Sequence, residues 1–174
     1  YIGEGKIIVT PNHFSWWDGF LIYKLNKKLF EKSFYILMLE DQLKRYWFFK
    51  FLGAFSINQS NSKSVVEVKQ YINNGINDES LISIYPQGKM EVFKTEDIEV
   101  KEGLKYFINN KNASFNVLPI AFKIQYYENQ KPAILCRFGT LLKSEEIIDN
   151  YNIFINEFIN NIKQLDVVSK ANKW

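Results

Sequence analysis

Pro11-Asn12-His13-Phe14-Ser15-Trp16-Trp17-Asp18-Gly19 carries the only histidine among 174 residues, with an aspartate five positions after it. The run in front, Lys6-Ile7-Ile8-Val9-Thr10, is apolar and β-branched and reads as a buried strand. Pro11 cannot donate to a ladder and biases Thr10 towards an extended shape, which predicts the strand's end there. From Trp16 to Lys28 the pattern is helical, with Ser15 as the expected N-cap. His13 then sits at a strand-to-helix turn, at the carboxyl end of a strand, where open α/β sheets bind ligands. Asp18 falls in the first helical turn and can fold back on the imidazole. A carboxylate accepting from one ring nitrogen fixes the tautomer and frees the other nitrogen to take a proton from a hydroxyl. A lone histidine at a turn is also commonly structural, and these residues by themselves leave both readings open.

The bulk numbers set the frame. The length suits one domain, residues 1–174, with a substantial core. Hydrophobic residues are 47% and charged residues 24%, ordinary for a globular protein, but aromatics at 17% are high. Either the core is unusually aromatic or part of the surface meets something oily. The single cysteine, Cys136, excludes an internal disulfide and a cysteine-based metal site, and no metal is expected. A net charge of +3 is too mild to argue for nucleic acid, and no nucleic-acid partner is expected; it is compatible with an anionic membrane face. No apolar run approaches the roughly 20 residues that span a bilayer, and nothing resembles a signal peptide. The chain begins with Tyr1 rather than Met, so a trimmed N-terminus, with a possible upstream anchor, is expected.

Further strands are expected at Ser33 to Leu39 (central, buried on both faces), Ala54 to Ile57, Leu81 to Tyr85, Val117 to Ile124 and Ala133 to Gly139. Pro119 demotes its strand to an edge or marks a break near the site. Helices are expected over Glu40 to Leu52 with Gly53 as cap, from a capping box at Ser64 to Gly75, over Val100 to Asn109, and from an N-cap at Ser144 to Leu165. Glu91 to Glu99 reads as loop. Strands alternating with helices predict an α/β fold: one layered domain whose mainly parallel mixed β-sheet is flanked by helices.

Leu43 to Leu52 interleaves Lys44, Arg45 and Lys50 with Tyr46, Trp47, Phe48, Phe49, Phe51 and Leu52. A core-packed helix with snorkelling lysines would account for it. A helix apolar nearly all round is read here instead as contacting an anionic membrane through Lys44, Arg45, Trp47, Phe48 and Lys50.

Asn12-His13-Phe14-Ser15-Trp16-Trp17-Asp18 resembles the first motif of the glycerolipid acyltransferases, a His and an Asp separated by four residues. Three later stretches resemble that family's other blocks in order: Gly53 to Gln59, Ile84 to Met90, and Val117 to Ala121. Lys101-Glu102-Gly103 sits where the family often has a basic residue and a glycine opening a helix. Two blocks depart from the pattern. Gln59 stands where the second motif has an acceptor-binding Arg, and Gln87-Gly88-Lys89-Met90 replaces Glu-Gly-Thr-Arg in the third.

The resemblance implies a glycerolipid-acyltransferase-like fold and direct acyl transfer with no acyl-enzyme. His13 would be the general base and Asp18 its orienting partner. The acyl donor would be a thioester, acyl-CoA or acyl carrier protein, with no bound cofactor. The acceptor would be a hydroxyl of a lysophospholipid, glycolipid or other lipid. Asn12, Gln59, Lys63, Pro86, Gln87, Gly88 and Lys89 are the expected substrate-binding residues, with backbone N–H groups around Gly88 as the oxyanion donors. Gln cannot replace an Arg fork on phosphate, so the departures imply a less anionic acceptor, with Lys63 or Lys89 as point charges. Peripheral attachment at the cytoplasmic face of a membrane follows. A hydrolase lacks its Gly-Xaa-Ser-Xaa-Gly elbow here, and a silent lipid-binding domain remains the other rival.

Overall fold

The computed structural model describes residues 5–110, 113–128 and 131–171. The outer limits of a single domain over 1–174 therefore lie outside the described residues. Seven strands form one sheet of order β3-β2-β4-β1-β5-β6, with β7 beside β5: β1 Ile7–Pro11, β2 Ser33–Leu39, β3 Ala54–Ile57, β4 Ser80–Ser83, β5 Asn116–Gln125, β6 Ala133–Phe138 and β7 Leu142–Lys143. β3, β2, β4, β1 and β5 are parallel; β6 and β7 run antiparallel to β5. The sheet is thus mainly parallel and mixed, with helices on both faces, as the strand–helix alternation predicts.

The central strand β1 is buried along its length because both of its faces are covered. Ile8 joins a core made with α3 (Ser62–Gln70), α4 (Gly103–Ile108), α5 (Ser144–Asp149) and α6 (Tyr151–Ala171). Ile7 and Val9 join a smaller core on the opposite face with Ile22 of α1 (Asp18–Leu25). The stripe Ile147, Tyr151, Phe154, Phe158, Ile162 and Leu165 is buried throughout, so its three- and four-residue spacing does pack on the sheet.

Several boundaries differ from expectation. α1 starts at Asp18, and Ser15 is no cap: its hydroxyl accepts from Trp17 N, while Asp18 draws the preceding amides onto itself. β2 is half-buried, since its last residues border a pocket instead of a helix. The helix expected over 40–52 breaks at Tyr46 (φ −115°, ψ 56°) into α2 (Glu40–Arg45) and a tight 3₁₀ segment, Trp47–Leu52. That winding buries Phe49 and exposes Trp47, Lys50 and Phe51. Gly53 closes it with φ 84° as expected.

α3 is capped by Asn61, whose side chain accepts from Lys63 N and Ser64 N, in place of the Ser64 box. Ser64 Oγ instead accepts from Asn58 N at 3.0 Å. α4 is confined to Gly103–Ile108. Ser144 lies inside α5, where its hydroxyl accepts from Phe115 N, and Asn150 (φ −143°) separates α5 from α6. β5 is interior, so Pro119 makes no edge. It falls between Val117, where pairing with β7 ends, and Ile120, where pairing with β6 begins, so the missing N–H meets the gap where the partner strand changes.

Candidate active site

The carboxyl ends of β1, β2, β3 and the chain leaving β4 surround a pocket of about 360 Å³, within the range of small-molecule sites. His13 lines it, following β1. Asp18 is fully buried, and its Oδ2 lies 2.9 Å from His13 Nδ1. The same oxygen accepts from Phe14 N at 2.8 Å and Ser15 N at 2.9 Å. An ionised carboxylate only accepts, so the contact suits an imidazole that donates from Nδ1, the tautomer in which Nε2 is free to take a proton. The helix start at Asp18 and the turn over 14–16 are one device: the carboxylate ties down the turn and orients the imidazole. The Tyr85 ring packs 4.4 Å from the His13 ring, and burial pushes the Tyr85 hydroxyl well above its ordinary pKa.

The loop is held from two further sides. Asn12 is buried and clamps β5, donating to Phe122 O at 2.9 Å and accepting from Phe122 N at 2.7 Å. Gln87 is buried too, and its Oε1 accepts from His13 N at 2.7 Å. Both side chains are engaged with backbone and neither lines the pocket, so each braces the loop. An acceptor oxygen is what Gln87's position requires, and Gln supplies it as Glu would.

Of the other expected residues, Gln59, Gly88 and Lys89 line the pocket. Pro86 lines an adjoining cleft that shares Gln59, Tyr85 and Gly88 with the first. Lys63 lines neither and sits 3.8 Å from Glu67 on exposed α3. Lys89 is 3.3 Å from both Glu91 and Glu99, and hydrogen bonding to these carboxylates, Glu91 first, raises its pKa. Gly88 N donates to Tyr85 O at 3.1 Å, so this amide is already engaged and is no oxyanion donor as it stands.

A family model of acyltransferases matches residues 1–123. The chain belongs to the Acyltransferase family. The match runs from before β1 into β5 and includes every residue of the pocket. No curated protein matches this acyltransferase chain.

Most of the pocket wall escaped the sequence reading. Trp16, Gly19, Ile36, Met38, Tyr46 and Phe49 give it a mainly apolar lining, with Gln42 among them. A Cβ on Gly19 would meet Ile36 Cδ1 at 3.2 Å and Phe49 Cε1 at 3.3 Å, so that wall is tightly fitted. Trp16 packs on Phe20, Tyr46 and Phe49 with ring centroids 5.5–6.0 Å apart. Its only sequence signal was its place inside the quoted stretch. Cys136 lies mid-strand on an exposed face of β6, away from the pocket, and desolvation pushes its thiol up to about 12. Among the described residues no group of three or more His, Cys, Asp or Glu could hold a metal.

Proposed function

We propose that the protein is an O-acyltransferase moving a fatty acyl group from an acyl thioester, on coenzyme A or acyl carrier protein, to a lipid hydroxyl. The observation that carries this reading is the His13–Asp18 dyad, whose imidazole lines an apolar pocket and whose Nδ1 lies 2.9 Å from the carboxylate. His13 takes the proton of the acceptor hydroxyl as that oxygen attacks the thioester carbonyl carbon; Asp18 stabilises the imidazolium that results. The tetrahedral intermediate collapses with expulsion of the thiolate, which takes the proton back from His13. The apolar wall of Trp16, Ile36, Met38 and Phe49 suits an acyl chain.

The acceptor is a lysophospholipid, a glycolipid or another weakly anionic lipid in preference to glycerol 3-phosphate. Gln59 occupies the pocket where an Arg fork would grip a phosphate dianion, and the Lys89 charge is balanced by two carboxylates. Competition between glycerol 3-phosphate, a lysophospholipid and a monoacylglycerol at matched concentrations tests this. Either lipid should give the higher kcat/KM. Glycerol 3-phosphate winning would refute the acceptor assignment.

The site works at a membrane surface, peripherally and on the cytoplasmic face, where anionic lipid attracts cations. Trp47 is 60% and Phe51 82% exposed beside Lys44, Arg45 and Lys50, and Trp17 is 57% exposed nearby in sequence to the dyad. Phe48 is half-buried against Phe49 and supports this surface from below. No helix among the described residues is long and apolar enough to cross a membrane.

A further inference from the structure

The two adjoining clefts carry few charges between them. The pocket beside His13 has Lys89 as its one charged lining residue, and Lys89 is balanced by Glu91 and Glu99. The second cleft, about 280 Å³, has Lys101 as its one charged lining residue. Lys101 makes no ion pair within 4.0 Å among the described residues, unlike Lys63 and Lys89. Its backbone is fixed twice: Lys101 N donates to Pro86 O at 2.9 Å, and Tyr151 Oη donates to Lys101 O at 2.6 Å.

The side chain is also placed. A Cβ built on Gly88 would fall 2.9 Å from Lys101 Cδ and 3.3 Å from its Nζ, so the lysine stem lies across Gly88, in the space a side chain there would fill. Gly88 borders both clefts, and Tyr85, three residues earlier, packs on the His13 ring. The exposed ammonium therefore lies at the junction of the cleft with the His13 pocket. Gln59 apart, the remaining lining, with Ile57, Val65, Leu104, Tyr106 and Phe107, carries no polar side chain but the tyrosines. An unpaired cation on an otherwise uncharged wall selects one anionic group.

We propose that Lys101 is the phosphate anchor of this site, gripping one phosphate of a substrate in the second cleft while the reacting groups lie against His13. The inference rests on the acyl-transfer reading of the dyad. A single ammonium matches the one charge of a phosphodiester better than a dianion, because it is a point charge without a bidentate fork. The phosphate could belong to the acceptor, as in a lysophospholipid, or to the coenzyme A of the donor.

Steady-state transfer by wild type, Lys101→Met and Lys101→Arg separates these sources. With an acyl-CoA donor, Lys101→Met should raise KM for a lysophospholipid by about ten- to a hundredfold, the size expected for one lost charge-assisted hydrogen bond. KM for a monoacylglycerol should change less than about threefold on the same scale. Lys101→Arg should recover most of the loss. Should KM instead rise for acyl-CoA, and not for an acyl-pantetheine lacking the nucleotide phosphates, the anchored phosphate is the donor's. Unchanged KM for every substrate overturns the proposal. Calorimetric binding of a lysophospholipid and of coenzyme A to wild type and Lys101→Met needs no turnover. If wild type transfers to no acceptor, the acyl-transfer reading fails, while a loss of binding in Lys101→Met still supports the anchor and equal binding rejects it.

Discussion

Replacing Asp18 by Asn isolates what the carboxylate charge does, because the structure holds its geometry in place. Asp18 Oδ2 accepts from Phe14 N and Ser15 N as well as from His13 Nδ1. Two backbone donors require an acceptor at that point, so the amide oxygen of Asn should sit there and the Nδ1–H tautomer should survive. A histidine in the wrong tautomer would cost about 10⁴ in kcat. Here the loss is the charge alone. Unit charges about 4 Å apart at an effective dielectric of about 20 attract by about 4 kcal/mol, which bounds the drop at about three decades. The amide dipole keeps part of the interaction, so the expected fall in kcat/KM is about 10²- to 10³-fold. The amide NH₂ would replace Asp18 Oδ1, which is buried without a partner, and an unsatisfied donor there costs about 1–3 kcal/mol of stability. The assay is thioester-dependent acylation of a lipid acceptor, with a thermal melt and imidazole ¹⁵N shifts on the same samples. A folded variant within threefold of wild type would refute the electrostatic role. A 10⁴-fold loss with the proton moved to Nε2 would refute the pinning by backbone amides.

Three other expectations follow from packing and charge. Gly53→Ala should lower Tm by several degrees, since φ is 84° and the added Cβ would overlap Phe34 O, a backbone atom that cannot move aside; the left-handed strain alone is about 1–2 kcal/mol. An unchanged Tm would mean that this turn opens freely. Asp166 accepts from Lys170 at 2.6 Å and Lys123 at 2.9 Å, and these partners, Lys170 first, hold its carboxyl below the usual range. Its contribution is therefore fully present above the unfolded-state value near 4 and is lost as pH falls through the lower native value, so Asp166→Asn should cost about 1.5–3 kcal/mol at pH 7 and progressively less below about pH 4 in urea melts. Trp47→Ser combined with Phe51→Ser should weaken co-sedimentation with anionic vesicles, and added salt should weaken binding of the parent; equal binding by the folded double variant would count against the membrane surface.

The strands were legible because their signals are local. Lys6 to Pro11 and Ser33 to Leu39 are apolar runs bounded by turn residues, and the buried stripe of α6 repeats at helical spacing. The breaks at Tyr46 and Asn150 were not, because neither residue forbids a helix; Tyr46 packs on Trp16 of a distant turn, and Asn150 turns its side chain to accept from Asn152 N at the start of the next helix. Capping was misread at Ser15, Ser64 and Ser144 for a related reason. Each hydroxyl fits a cap by pattern, but Trp17 N, Asn58 N and Phe115 N claimed them in the fold. At the site, the approach of Asp18 to His13 was legible from an offset of five within one turn. The bracing roles of Asn12 and Gln87 depend on partners 110 and 74 residues away, which no local pattern encodes. Lys101 was noticed only through a resemblance, and its place across Gly88 emerges from the packing of two segments.

The most direct test of the account is acyl transfer by wild type beside His13→Gln, a change that keeps a polar side chain but removes the base. With a labelled acyl thioester and a lysophospholipid, wild type should form the diacyl product, and folded His13→Gln should form it at least about a hundredfold more slowly, the contribution usual for a positioned general base. Equal rates for the two proteins would contradict the central claim that the His13–Asp18 dyad performs the transfer.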